Sequence, residues 1–494
     1  MEKFDCMEEQ LRKIDEVIAK GRFKDNWDTL MDFEVPAWFK KAKFGIFIHW
    51  GLYSVPANSN EWYSRNMYIK GMPAYEHHIK TYGPQKEFGY KDFIPMFKAE
   101  RFDPSEWAKI FKDAGAKYIF PVAEHHDGFQ MYKSKISHYN SYEMGPKRDI
   151  LGELKESFEK EGLVFCTSSH RAEHWFFMGH GKEFDSDIKE PMVRGDFYWP
   201  AMPEPDNQDL FSKPYPTKEF LEDWLIRTCE IIDNYKPRVL YFDWWIQHEA
   251  FKPYLKKLAA YYYNRGEEWG EEVAITYKHD AFMFGSAIVE IERGKFADQK
   301  PYYWQTDTAV ARNTWCYTTE NDYKSSREII TDLVDVVSKN GNMLLNIGPK
   351  ADGTIPEGDA KILREVGAWL KVNGEAIYES KVWRKAGEGP TRQEEGQFMD
   401  ASAIEFTRED IRFTVRGEAL YATFLNYPED GDVIIHSLAE AKDQNKPEFH
   451  GIIRNVEVLG FDEKPVWTVD EHGLSIKTTT VRSEYPVVMK ITLD

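Results

Sequence analysis

Val239-Leu240-Tyr241-Phe242-Asp243-Trp244-Trp245 is a run of four apolar residues that stops at a carboxylate followed by two indoles. It is too short for a helix and does not alternate, so it reads as a strand buried on both faces. The same unit recurs on either side. Apolar runs at Phe44–His49, Tyr118–Ala123, Leu163–Ser168, Val273–Tyr277 and Met343–Ile347 also end in polar or aromatic residues, with weaker ones at Ile288–Ile291 and Tyr302–Gln305. Amphipathic stretches separate them: Pro104–Ala114, Asp149–Glu161, Lys218–Asn234, Pro253–Arg265, Ser325–Lys339 and Gly358–Asn373. Short strands alternating with helices predict a parallel sheet covered on both faces. Eight of them predict an α/β fold of the (β/α)8-like, TIM-type barrel class. The rival is an open doubly wound sheet, but no Gly-rich phosphate fingerprint follows a strand.

Beyond Trp383 the pattern changes. Ala386–Gln397 is rich in Gly and charge and reads as a linker. Alternating runs follow at Ala403–Phe406, Ile411–Val415, Ala419–Phe424, Val433–His436, Val456–Val458, Ser475–Thr480 and Val487–Ile491. These predict a C-terminal antiparallel β-sandwich. The expected domains are 1–385, a catalytic barrel with an N-terminal helical extension, and 386–494, the sandwich, read as bracing the barrel.

A length of 494 residues accommodates one large barrel and one smaller domain, and 42% apolar residues exclude disorder as the main state. Against 64 basic residues stand 83 acidic ones, a net charge of −19, which argues against nucleic acid or an anionic membrane as partner. With 16 Trp and 27 Tyr the chain is rich in flat surfaces that stack on sugar rings or fill a large core. Cys6, Cys166, Cys229 and Cys316 lie too far apart for a Cys-x-x-Cys metal pair. No signal peptide is visible and no apolar run reaches membrane-spanning length, so the compartment stays open between cytoplasmic and exported with a leader removed.

In a parallel barrel the chemistry sits at the C-terminal strand ends. The first run ends in Ile48-His49-Trp50-Gly51 and the second in Glu124-His125-His126-Asp127. The third ends in Ser168-Ser169-His170-Arg171-Ala172-Glu173-His174, the fourth in Asp243-Trp244-Trp245 and the fifth in Lys278-His279-Asp280. Any one of these could be an ordinary strand-end polar group; five converging on one rim predict a site. Asp243, fixed at the end of a buried strand, is the candidate nucleophile, against the plainer reading of a helix cap or ion-pair partner. A nucleophilic carboxylate needs a partner acid. Glu290 and Glu292 bracket one apolar residue, share a strand face and are the candidates, either of which could instead pair with Arg293. Metal chemistry is disfavoured. His125 and His126 are adjacent, would point to opposite faces of a strand, and form no His-x-His or His-Glu-x-x-His motif.

The run Trp38-Phe39-Lys40-Lys41-Ala42-Lys43-Phe44-Gly45-Ile46-Phe47-Ile48-His49-Trp50-Gly51-Leu52-Tyr53-Ser54-Val55-Pro56 resembles the opening of the α-L-fucosidases of glycoside hydrolase family 29. So do Glu61-Trp62-Tyr63, the block from Ala114 to Phe129, Lys147-Arg148-Asp149, and Asn340 to Pro349. The resemblance spans about residues 30–385. It implies a retaining exo-α-L-fucosidase acting on a fucosylated oligosaccharide or glycoconjugate, through a covalent fucosyl-aspartate on Asp243. It needs no cofactor, and self-association into a homo-oligomer is left open. His49, Glu61, His125 and His126 match positions that hold fucose hydroxyls. Trp315 matches an aromatic near the sugar methyl. Trp62 lines the pocket, Trp50 and His170 belong to the same rim, and Lys278 stands where relatives carry an arginine. In one branch the acid follows a tryptophan; here that slot reads Trp304-Gln305, and glutamine cannot give up a proton. In other branches the acid lies earlier, on a loop that corresponds roughly to Ile288–Gly294, so the resemblance implies Glu292 as the acid, with Glu290 second. Gln305 motivates an alternative, an inactive fucose-binding protein on the same scaffold; a hydrolase of a related sugar such as α-L-galactose is another.

Overall fold

The structure is a computed structural model and describes residues 7–207 and 209–494. Strands β1 (Phe44–Ile48), β2 (Tyr118–Glu124), β3 (Val164–Phe165), β4 (Thr167–Ser169), β5 (Val239–Phe242), β6 (Ala274–Tyr277), β7 (Ile288–Glu292), β8 (Trp304–Ala309) and β9 (Gly341–Ile347) form one parallel sheet. β3 and β4 are two parts of a single interrupted strand, both pairing with β2. The sheet closes because β1 pairs with β9 on one side and β2 on the other, from Gly45 opposite Tyr118 to Ile48 opposite Pro121. The result is an eight-stranded barrel, and both weaker runs in the sequence are strands of it.

Closure explains one residue choice. A Cβ on Gly45 would lie 2.3 Å from the Tyr118 ring, so only glycine lets that ring into the barrel. Phe47, Tyr118, Phe120, Tyr241 and Leu344 pack there as a solid plug. A larger aromatic and aliphatic layer joins the barrel to its outer helices. The helix Ser326–Ser338 is typical of them: Ser325 and Glu328 form a reciprocal cap, and its apolar stripe faces the barrel.

The C-terminal unit has two antiparallel sheets. One is ordered β10 (Lys381–Glu388), β11 (Ile411–Arg416), β12 (Ala419–Phe424), β17 (Val487–Leu493), β14 (Ile453–Val458); the other is β13 (Asp432–Ile435), β16 (Gly473–Lys477), β15 (Val466–Asp470). They share a core that includes Phe413, Leu420, Leu474 and Ile491. The expected division at 385/386 falls inside β10, which is hydrogen-bonded to β11. Ala403–Phe406 is not a strand, and β10 and β15 were not legible: β10 is charge-rich, and neither strand has a buried residue. The sandwich grips the barrel through polar bonds. Arg412 Nε donates to Asp335 Oδ1 at 2.6 Å, and Trp369 Nε1 to the Pro486 carbonyl at 2.9 Å. Among the described residues no helix is long and apolar enough to cross a membrane.

Candidate active site

The C-terminal ends of the barrel strands open into a cavity of about 360 Å³ that receives His49, Glu61, Trp62, His125, His126, His170, Asp243, Glu292 and Trp315. Asp243 follows β5 directly. Its Oδ1 accepts from Lys278 Nζ at 2.9 Å; its Oδ2 lies 3.0 Å from His170 Nδ1 and 3.3 Å from His126 Nε2. Burial opposes the charge, but the Lys278 ammonium and the two imidazole hydrogen bonds outweigh it and hold the carboxyl well below the usual carboxylate range. Asp243 is therefore an anion, fixed in direction by three donors.

Glu292 is the last residue of β7. Its Oε2 accepts from Trp244 Nε1 at 2.7 Å and from Lys278 Nζ at 2.6 Å. Burial pushes its carboxyl up to about 7, with Lys278 opposing and the Asp243 charge adding to the rise. One ammonium thus touches both carboxyls at 2.9 and 2.6 Å, and the sum of those distances caps the separation of the two contacted oxygens at 5.5 Å. Two carboxyls with environments that push them apart in acidity are the pairing that acid–base chemistry needs. Lys278 does not line the cavity; it sits behind both acids, and the two carboxylates keep it charged despite burial.

Glu290 shares the inward face of β7 but lies one layer deeper and does not reach the cavity. Its Oε2 accepts from Gln305 Nε2 at 2.8 Å, and Gln305 Oε1 accepts from the Tyr118 hydroxyl at 2.9 Å. Gln305 is thus part of the barrel interior. Trp50, placed on the rim by sequence, also points elsewhere. It packs against Phe97, Phe102 and Trp107, with Nε1 on the Lys350 carbonyl at 2.8 Å.

The histidines form one cluster. His125 and His126 lie beyond the last residue of β2, so strand alternation does not separate them, contrary to the expectation from adjacency; their rings are 4.3 Å apart and both face the cavity. Burial and neighbouring imidazoles hold His49 and His125 well below the ordinary histidine value. Burial takes His170 to about 4. His126 is the exception. Burial opposes its charge, but Glu173 and Asp243 raise it to about 9. Glu173 Oε2 stands 3.5 Å from its Nδ1. The wall therefore carries neutral imidazoles and one imidazolium, the latter beside the Asp243 anion.

His49, His125 and His170 bring ring nitrogens within 4.8 Å of one another, close enough to hold a metal ion. Of the three, only His170 has both ring nitrogens engaged. His170 Nδ1 faces Asp243 while Nε2 lies 2.9 Å from Ser168 Oγ, and His49 Nδ1 lies 2.6 Å from Asn346 Oδ1. That Asn346, on β9, also donates to the Trp315 carbonyl at 2.6 Å. Glu61 Oε2 accepts from the Trp315 backbone N–H at 3.0 Å. Trp315 is thereby held flat beside His49, with ring centroids 5.2 Å apart.

Phe47, Glu173, Tyr241, Trp244 and Phe398 complete the cavity and were not singled out as site residues from sequence. Glu173 lay in the third strand-end run and Trp244 beside Asp243, so position alone pointed to them. Phe398 carried no signal, because it follows the segment read as a linker.

Buried paired carboxyls on a barrel rim, walled by indoles and imidazoles, are the constellation of a glycoside hydrolase. The chain belongs to the α-L-fucosidase family: the family model "Alpha-L-fucosidase" matches residues 10–375, and "Alpha-L-fucosidase C-terminal domain" matches 405–492. It is 31% identical to human tissue α-L-fucosidase over 483 residues, covering 95% of this chain and 92% of that one. It is 31% identical to plasma α-L-fucosidase of Pongo abelii over 438 residues, covering 84% and 81%. The solved structure of Thermotoga maritima α-fucosidase in complex with fucose matches with a TM-score of 0.73 at 30% identity, covering 95% of this chain and 100% of that one.

Proposed function

We propose that the protein is a retaining exo-α-L-fucosidase, with Asp243 as nucleophile and Glu292 as acid/base. The observation that carries this is the Lys278 bridge, which brings one oxygen of each carboxyl to no more than 5.5 Å apart and so favours a close pair with one ammonium between them. Retaining glycosidases hold their carboxyls about 5–5.5 Å apart, whereas inverting ones leave about 6.5–9.5 Å for a water. A solved relative at 30% identity holds fucose, and the same relative has been captured with a mechanism-based inhibitor.

In the proposed first step an Asp243 oxygen attacks the anomeric carbon and the glycosidic C–O bond breaks. Glu292 gives its proton to the departing oxygen. In the second step Glu292, now a carboxylate, takes a proton from water; the water oxygen displaces Asp243 and restores both groups. Lys278 and the His126 imidazolium keep Asp243 anionic in the resting state. Neutral His49 and His125 pair with sugar hydroxyls, where an unmatched polar group is costly and so selects stereochemistry. A cavity at the small end of ligand sites suits one terminal sugar.

The test is the anomer first released from an aryl α-L-fucoside, followed by proton NMR. Initial α-L-fucose is expected, and a 2-fluoro fucosyl inactivator should label the peptide that contains Asp243. Initial β-L-fucose would overturn retention.

A further inference from the structure

We propose that Phe398, delivered by the segment between the two domains, forms with Trp244 the platform that binds the leaving group, the sugar to which fucose is attached. This rests on the fucosidase reading and adds the neighbouring subsite to it. The acid must lie on the leaving-group side of the scissile bond, because it protonates the departing oxygen. Glu292 takes a hydrogen bond from Trp244 Nε1, so that indole stands on the same side. The Phe398 ring lies nearly parallel to it, at 15° and 6.1 Å between centroids, and extends the apolar surface outward from the acid. Phe398 is 50% exposed while lining the cavity, so much of its ring is open to a ligand there.

The ring is also held there. The Phe398 N–H donates to the Glu292 carbonyl at 2.9 Å and the Met399 N–H to the Arg293 carbonyl at 2.8 Å. Asp400 then takes Arg293 Nη1 at 3.1 Å and Thr308 Oγ1 at 2.7 Å. Phe398 adopts φ +56°, a left-handed conformation costly for a bulky residue and sustained by these anchors. At the polar edge, Gln397 Nε2 and His279 Nε2 meet at 3.3 Å, and His279 packs on Trp244 with centroids 4.3 Å apart. A flat apolar face with a polar margin is what a pyranose ring stacks on. The ligand class is therefore a hexose or N-acetylhexosamine bearing the fucose.

The experiment compares F398A, F398W and the unaltered enzyme on two substrates: α-L-fucosyl fluoride, whose leaving group is a single atom, and a fucosyl disaccharide. F398A should lower the disaccharide-to-fluoride ratio of kcat/KM about tenfold, the scale of one lost stacking contact, and F398W should restore it. An unchanged ratio overturns the subsite, whether both rates fall together or neither falls. Failure of the unaltered enzyme to cleave the fluoride overturns the fucosidase reading, and the subsite with it.

Discussion

Trp244 Nε1 donates to Glu292 Oε2 at 2.7 Å, so the residue next to the proposed nucleophile holds the proposed acid. The bond joins the turn that follows β5 to the last residue of β7, so the proposed acid is oriented from the segment that carries the proposed nucleophile.

Replacing Asp243 by Ala should lower kcat by at least ~10⁴-fold, the scale of losing a nucleophile. Glu292→Ala should retain turnover of an activated aryl fucoside when azide is present and yield α-L-fucosyl azide. If Glu290→Ala rather than Glu292→Ala gives that product, the acid has been misassigned.

The pH profile follows from protonation states. Glu292 must carry its proton in the free enzyme, and burial sets its carboxyl at about 7. Activity, measured as kcat/KM, should thus be flat just below neutrality and fall as pH rises through about 7. Lys278→Met removes the ammonium that lowers Glu292, so this alkaline limb should move to higher pH. The same change frees Asp243 to protonate, which should bring in an acidic limb. A limb that moves downward in Lys278→Met contradicts the bridge.

Glu173, at 3.5 Å, joins Asp243 in keeping His126 protonated. Glu173→Gln should lower the histidine's pKa, seen by imidazole ¹⁵N NMR. Each unit lost corresponds to about 1.4 kcal/mol less stabilisation of the charged imidazole beside Asp243, roughly a tenfold effect if carried fully into kcat/KM. An unmoved His126 titration would remove Glu173 from the site.

Prolonged chelation should leave activity intact, because His170, central to the cluster, already has both ring nitrogens engaged by Asp243 and Ser168. Loss on chelation with recovery on adding a divalent cation would show that the histidines serve an ion instead of hydroxyls.

Trp50 should behave as a core residue. Trp50→Ala is expected to cost about 3–5 kcal/mol in chemical denaturation. Trp50→Phe should be milder and leave KM for an aryl fucoside within about twofold, since a smaller ring still fills part of the same apolar site. A larger KM change in a stably folded Trp50→Phe protein would return Trp50 to the pocket.

The barrel strands, most of the sandwich strands and Asp243 were legible in the residues, because a buried strand announces itself through a local apolar run and its first polar residue marks the rim. β10 was missed for the same reason, its half-exposed, charge-rich residues carrying no such signature. The sequence alone therefore determined the repeating β–α architecture and the strand end that bears Asp243, the proposed nucleophile, both products of short-range patterning. Only the tertiary structure separates Glu290 from Glu292 as candidates. The two share a strand face, and depth along the barrel, set by closure of β1 onto β2, puts one among Gln305 and Tyr118 and the other beside Lys278. It also decided that Trp50 is buried packing and that Phe398, distant in the chain, stands at the mouth, since both depend on contacts between segments that no local pattern encodes.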